Sequence, residues 1–571
     1  MGKFFITVAL GCCFGLFSYA SESELQRNML AHLESVRQTF QSQYAPAELK
    51  FKKYGWDVDV EISKINQYIK THPTITVHDY QGLLSDFFNS VKDYHVSISF
   101  YSTEKSLLPF TVQGVGDDFF IAYIDRTKLG ESTFPFNIGD KLVTFGDQKT
   151  ADAVKAIAFK MGPNNLDTNM ALAALMLTKR SASQGLNIPK GTIDISIQPK
   201  GSSDVLHRQL RWDYTPELIT DGFQDSMHSY ASMQGSNEND PFQGFLHSKM
   251  LVPYTDLKEG MVGGTSNPFG LGTKKSYLPS LGEINMAVDK NLPFYAYTYK
   301  TPDQKEIGYI RIGNYSPTDA ESMVSVFDKL IVEFEKNTDA LVIDQINNPG
   351  GSVFYLYALA SMLTNQPLKT PHHYMKITQA QQAQAINAQE TLKNITTDEA
   401  AVGVFGDSVE GYPVSMQFVE FLKGFTGVII DTANSHKSLT PLTYLEGVDS
   451  INPALHHYSK PVFVLINSLD FSGGDFFPAI LQDNKRATIL GSRTSGAGGV
   501  VTEVEYPNRL GVASYRLTSS LAERATENGA QPIENLGVTP NVEIKMTKND
   551  LENNYADYIK TVNGVISKAL K

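Results

Sequence analysis

Ser472 follows the apolar run Val462–Ile466 and a polar turn, and leads into Gly473-Gly474-Asp475 and an apolar segment of helical character. A serine at a strand-to-helix turn is expected to be exposed, with the free N–H groups of a helix N-terminus beside it. Such donors can hold an oxyanion. The setting suits a nucleophile, although it is not the Gly-x-Ser-x-Gly of the α/β-hydrolases. Alone, the segment reads equally as an N-cap, with Ser472 capping and Asp475 placed for the helix dipole.

A nucleophilic serine needs a base, an acceptor to orient that base, and two N–H donors for the oxyanion. Among twelve histidines, His95 is placed best, at the helix-to-strand junction Asp93-Tyr94-His95-Val96. On the strand that follows, Val96, Ile98 and Phe100 share the apolar face, while His95, Ser97 and Ser99 share the other. Taken singly, His95 is an ordinary histidine on the polar side of a strand. Glu534 lies in the turn-rich Gln531–Pro540 segment before a short terminal strand, where a glutamate is ordinarily a solvated loop charge. Gly473 offers one oxyanion donor. Gly350 and Gly351, in the Asn-Pro-Gly-Gly turn after the buried strand around Leu341–Asp344, offer another, since glycine suits close approach of backbone to substrate. The pairs His372-His373 and His456-His457 lack companion ligands at metal spacing, so neither a metal nor a cofactor is expected.

Composition narrows the classes. The chain has 571 residues, 42% hydrophobic and 19% charged, enough for several ordinary globular domains. A net charge of -12 argues against a nucleic-acid partner. Residues 1–20 read as a signal peptide: Lys3, an apolar stretch from Phe4 to Phe17, and Ser18-Tyr19-Ala20 as a cleavage site. The expectation is export to the periplasm, to the medium or into a host cell, without a stable membrane anchor. Both cysteines, Cys12 and Cys13, fall inside this segment, so a thiol nucleophile is excluded from the processed chain.

The elements that must position these groups fall into four further stretches. Residues 21–105 are expected to form a helical unit carrying His95, with Leu25, Met29, Leu33 and Val36 on one helix face. Residues 106–213 alternate as strands around a Gly-Asp turn and a helix, similar to a PDZ domain with a helical insertion between Pro163 and Ser183. Residues 214–292 are rich in Gly, Ser, Asn and Met and have little periodicity, as in a linker, lid or cleavable inhibitory segment. Residues 293–571 alternate strand and helix, which predicts crossovers and a largely parallel sheet. One helix there is expected to open on a capping box of Thr318 and Glu321.

Together these pieces resemble the tail-specific, or C-terminal-processing, serine peptidases and their tricorn-type relatives. The strand and turn of Ala340–Ser352, the nucleophile block Lys460–Gly499, the Asp-x-His of Asp93–His95 and the closing motif Pro532–Ile544 all match. The resemblance implies an α/β multidomain protein with a ClpP/crotonase-like catalytic core, an N-terminal helical unit and a PDZ-like domain. One departure decides the chemistry. Many members use a Ser–Lys dyad, with lysine at the end of Gly-x-x-Thr-x-Gly-Lys; here Gly491–Ala497 ends in alanine. The resemblance is then to the family's secreted chlamydial branch, which uses Ser, His and Glu. It implies Ser472 as nucleophile, His95 as base, Glu534 as the acceptor holding the imidazole, and Gly473 with Gly350 or Gly351 as the oxyanion hole. It further implies protein or peptide substrates, a homodimer, a zymogen matured by self-cleavage and a role in virulence. The alternative is a non-catalytic peptide-binding or scaffold protein on the same fold.

Overall fold

Four helices open the described chain, the first of them with the apolar face that its spacing predicts. The computed structural model describes residues 23–162, 164–218, 249–251, 267–505, 508–526 and 529–571; the expected signal peptide, both cysteines and most of 214–266 lie outside them. Helices α1 (Glu24–Gln43), α2 (Ala47–Tyr54), α3 (Val58–Thr71) and α4 (Val77–Ser90) bury Met29, Leu33, Val36, Phe40, Leu84, Phe87 and Phe88 in one aromatic-rich cluster. Ser23, Asp57 and Thr76 cap α1, α3 and α4 through their side chains. Strand β1 (Ser97–Phe100) follows at once.

The next unit is a β-rich module. Strands β2 (Phe110–Val115), β3 (Asp118–Ile124) and β4 (Lys141–Phe145) precede helices α5 (Thr150–Lys160) and α6 (Leu166–Leu177), and β5 (Thr192–Gln198) and β6 (Leu206–Arg211) complete the sheet in the order β2-β3-β4-β5-β6. Helix α6 is the predicted insertion.

A short strand, β7 (Lys249–Leu251), precedes the catalytic sheet. That sheet contains β8 (Glu283–Ala287), β9 (Ala296–Lys300), β10 (Glu306–Arg311) and, after helix α7 (Ala320–Asn337), β11 (Ala340–Asp344). Strand β12 (Gly350–Ser352) and helix α8 (Val353–Ser361) follow. Further on come β13 (Val462–Ile466), helix α9 (Gly473–Asp483) and β14 (Ala487–Gly491). Strands β15 (Val501–Val504) and β16 (Val512–Thr518) form a hairpin, β17 (Val542–Glu543) closes the sheet, and α10 (Ala556–Ala569) ends the chain. The sheet order is β8-β9-β10-β11-β13-β14-β17, and β10 through β17 run parallel. Both faces are covered, as a parallel sheet requires. Val462, Val464 and Ile466 point to the side of α7, α8 and α9; Phe463 and Leu465 point to the side of α10.

Two expectations about this region are corrected. Residues 267–292 are not low-order: Phe269, Leu271, Leu278 and Leu281 are buried, and β8 is an edge strand of the catalytic sheet. Helix α7 is capped by Asp319, whose Oδ1 accepts from Ser322 N at 3.0 Å, while Glu321 accepts instead from Ser408 Oγ. Asp319, one residue later, reaches the free N–H groups without the Thr318 box.

The helical unit packs on the catalytic unit through the β15–β16 hairpin. Strand β1 pairs antiparallel with β16, and Leu510, Val512, Tyr515 and Leu517 complete the core of the four helices. Two stretches separated by some 400 residues of chain thus share one core, which brings His95 into reach of the sheet.

Candidate active site

Ser472 sits at the N-terminus of α9 with φ 59° and ψ -114°. That backbone is strained for a residue with a side chain, at a typical cost of ~1–3 kcal/mol, and strain of this kind clusters at active sites. Hydrogen bonds on both sides hold it. Before the serine, Asp470 accepts from Asn348 N at 2.9 Å and Asn467 N at 3.0 Å, and Phe471 N donates to Asn348 O at 2.8 Å. The nucleophile turn is therefore bolted to the Asn348–Gly351 turn. After the serine, the Asp475 carboxylate accepts from Ser472 N at 2.8 Å, Gly496 N at 2.9 Å, Ala497 N at 3.0 Å, Ser495 Oγ at 3.2 Å and Thr494 Oγ1. Burial pushes the Asp475 carboxyl up to about 6 despite these donors.

The sequence reading expects an exposed serine; the structure buries Ser472 completely, and its Oγ has no hydrogen-bond partner among the described residues. The reason is the company it keeps, since the α9 N-terminus lies under the Gly350–Gly351 turn, the 494–498 loop and the helical unit. Ala497, where a lysine would complete a Ser–Lys dyad, is itself fully buried.

Gly473 lies against the Gly350–Gly351 turn. A Cβ on Gly473 would lie 3.1 Å from Gly350 Cα and 3.3 Å from Gly351 N, so the backbones of Gly473 and of this turn are closely packed. Gly473 is the first residue of α9, where the helix leaves its N–H unused. The two glycines of the turn differ, however. Gly350 N is already committed to Asn348 Oδ1 at 2.8 Å, which leaves Gly351 as the better second donor. A side chain at 351 is prohibited by backbone: its Cβ would fall 2.1 Å from Tyr315 C and 2.2 Å from Tyr315 O.

His95 precedes β1 in a tight turn. It is completely buried, not on a polar strand face, and neither ring nitrogen has a hydrogen-bond partner among the described residues. Burial pushes the imidazole down to about 4; Asp93 pulls it up, while Arg516 and Lys50 press it further down. His95 is thus neutral at pH 7. The residues that precede His95 and Ser472 touch: the Tyr94 ring meets the Phe471 ring edge-on at 5.5 Å. Helix α6 fixes the same junction. Tyr94 Oη donates to Asn169 Oδ1 at 2.7 Å, Asn165 Nδ2 donates to Thr494 O at 3.2 Å, and Thr168 Oγ1 donates to Ser468 O at 2.7 Å.

Glu534 is buried rather than solvated, and it is not bonded to His95. Its Oε2 accepts from Gly498 N at 3.0 Å and its Oε1 from Lys50 Nζ at 2.5 Å. Burial pushes its carboxyl up, the nearby Asp93 charge adds to that, and Lys50 and Gly498 N–H oppose it. Asp93 is spoken for as well: Oδ1 accepts from His95 N at 2.9 Å, and Oδ2 from Thr518 Oγ1 at 2.8 Å and Tyr44 Oη at 3.0 Å. The 496–498 backbone links the two halves of the site, since Gly496 and Ala497 hold Asp475 beside the serine while Gly498 holds Glu534. Sequence reasoning missed Lys50 and Asp475's part in fixing the 494–498 loop. Among the described residues no group of His, Cys, Asp and Glu is placed to bind a metal, and no helix is long and apolar enough to cross a membrane.

One further contact bears on the site. Strand β7 pairs antiparallel with β12, Met250 opposite Gly351 and Leu251 opposite Gly350, and comes close to β15. A strand from the 214–292 stretch therefore lies along the Gly350–Gly351 turn.

Known proteins resemble this chain in sequence and fold. A Chlamydia pneumoniae protein is 33% identical over 572 residues, covering 95% of this chain and 89% of its own. The crystal structure of mature CPAF complexed with lactacystin shares 31% identity and a TM-score of 0.81, covering 96% of this chain and 99% of that one. A serine-to-alanine mutant of CPAF gives a TM-score of 0.83 at 31% identity, with 96% and 98% covered. The PDZ domain family matches residues 104–220, and peptidase family S41 matches residues 306–544, the span that holds Ser472, Glu534 and the glycine turn. The chain belongs to peptidase family S41, with a PDZ domain ahead of its peptidase domain.

Proposed function

We propose that the protein is an exported serine endopeptidase in which Ser472, His95 and Glu534 carry the reaction. Ser472 Oγ attacks the substrate carbonyl carbon while His95 takes its proton. The C–N bond then breaks, and His95 returns that proton to the leaving amine. Water hydrolyses the acyl-enzyme by the same route, with His95 again taking and giving the proton. Glu534, directly or through water, stabilises the imidazolium, and the N–H groups of Gly473 and Gly351 hold the oxyanion. The observation that carries this reading is the strained, buried Ser472 on a helix N-terminus beside two glycine N–H groups, with Tyr94 packed on Phe471.

Two observations support reading the chain as a precursor. Ser472 Oγ and both nitrogens of His95 have no hydrogen-bond partner among the described residues. Strand β7 covers the edge of β12 along which an extended substrate would add, its scissile carbonyl beside Gly351 N–H. Cutting the 214–292 stretch frees that edge, and self-cleavage is the proposed route. A homodimer, secretion and a part in virulence belong to the same proposal; the last rests on the likeness to CPAF alone.

Incubating wild type beside Ser472→Ala and mapping the fragments tests both parts. Wild type is expected to break within 214–292 and to hydrolyse added protein, while Ser472→Ala does neither. Equal fragmentation of the two chains refutes self-cleavage. Hydrolysis of added protein by Ser472→Ala refutes the assigned nucleophile.

A further inference from the structure

Lys50 is a lysine with no exposed surface, and its three ammonium donors are all used. Nζ donates to Glu534 Oε1 at 2.5 Å, Lys92 O at 2.7 Å and Asn535 Oδ1 at 2.8 Å. Its neighbours Lys52 and Lys53 on α2 are outward, and the adjacent Phe51 is 59% exposed. Helix α2 therefore turns its amphipathic logic round at this point, sending a charge inward and an aromatic ring outward. A buried cation is costly unless paired, and one that displaces an available phenylalanine from the core calls for a reason.

The reason lies in what surrounds Glu534. From the turn before β1 it faces the carboxylate of Asp93, itself bonded to Tyr44 Oη, and the neutral His95. From α2 it faces Lys50, with Tyr54 and Lys53 further out, and Arg493 lies on the side of the 494–498 loop. Among the described residues, Gly498 N–H is its one backbone donor. Without Lys50, two carboxylates would share a buried site with no cation bonded to Glu534, and one would take up a proton. A protonated Glu534 cannot stabilise an imidazolium.

We propose that Lys50 is a positioning residue for the hydrolytic reaction: its ammonium group opposes protonation of Glu534 and holds that side chain beside Gly498. It places in this site, from a helix more than 400 residues upstream, the positive charge that Ala497 does not supply. This inference rests on the Ser472–His95–Glu534 reading of the site. Lys50 touches neither substrate nor the reacting atoms in this role; it acts through Glu534.

The test uses processed full-length protein with Lys50→Gln and Lys50→Met. Gln retains a donor without the charge, and Met removes both. The acid limb of kcat/KM is expected to move upward by about one pH unit or more in both variants, so activity at pH 7 falls by about tenfold or more and partly returns at higher pH. KM should change little. In a Glu534→Gln background the same Lys50 changes should cost nothing further, because the charge they remove has nothing left to act on. Lys50→Gln carries the test if Lys50→Met does not fold. An unmoved acid limb, or a loss equal at every pH, overturns the proposal, as does a further loss on top of Glu534→Gln. Covalent labelling of Ser472 in wild type by a fluorophosphonate is read in parallel. If wild type does not label, the hydrolase reading fails; if it labels and the pH limb stays put, only the role of Lys50 fails.

Discussion

Replacing Gly473 with alanine separates catalysis from folding at a single carbon atom. Gly473 is the first residue of helix α9, its φ is not in the left-handed region, and alanine is the better helix former by up to about 1 kcal/mol. The added Cβ would meet Tyr315 Cδ2 at 2.9 Å, Gly350 Cα at 3.1 Å and Gly351 N at 3.3 Å. Relieving that crowding costs ~1–3 kcal/mol, which the helix gain partly offsets. The fold should survive with a melting temperature within several degrees of wild type. The methyl, however, lies between the two N–H groups assigned to the oxyanion and pushes Gly351 away. Losing one such donor is worth ~3 kcal/mol, or roughly a hundredfold in kcat. The assay is hydrolysis of a fluorogenic protein substrate by the processed enzyme, with the melting temperature measured on the same preparation. A folded Gly473→Ala enzyme that turns over within about threefold of wild type refutes the assignment of this space to the oxyanion.

Three other outcomes follow from the site. His95 is held near 4 when folded against an ordinary 6.5, so the unfolded chain binds the extra proton between those values. Stability from this residue is complete above pH 6.5 and lost as pH falls to 4, by ~3 kcal/mol at most; in a Ser472→Ala background, His95→Phe should remove that part of the slope in denaturant titrations. Asp475→Asn replaces an acceptor-only carboxylate by an amide facing the N–H groups of Ser472, Gly496 and Ala497, and should cost ~1–3 kcal/mol for each buried donor left unpaired, read as a lower denaturation midpoint. Removing residues 23–105 takes away Lys50, His95 and β1 and exposes Leu510, Val512, Tyr515 and Leu517, so the shortened protein should be inactive and aggregate on size-exclusion chromatography.

Much of this is legible in the sequence because it is local. The apolar run of Val462–Ile466, the spacing of Phe327, Leu330, Ile331 and Phe334, and the close-packed glycines at 350, 351 and 473 each reflect signals that act over a few residues. The PDZ strands are equally visible, since turn and hairpin signals are short-range. What sequence reading misplaces depends on distant partners. Glu534 looks like a loop charge until Lys50, 484 residues away, is brought onto it. Lys50 looks like one more solvated lysine in a basic helix. Ser472 looks exposed because the elements that cover it come from three other parts of the chain. Asp319 rather than Thr318 caps α7 because two candidates stood side by side, and only backbone geometry chooses between them. Residues 267–292 look irregular because the buried side chains from Phe269 to Leu281 follow no helix or strand period, although they pack against the sheet.

The most direct measurement is mass spectrometry of the peptide containing Ser472 after exposure to a fluorophosphonate, in the precursor and in the processed chain. The account predicts an adduct on Ser472 Oγ in processed wild type and strong suppression of it by His95→Ala. No adduct in either form, or an adduct whose rate ignores His95, contradicts it.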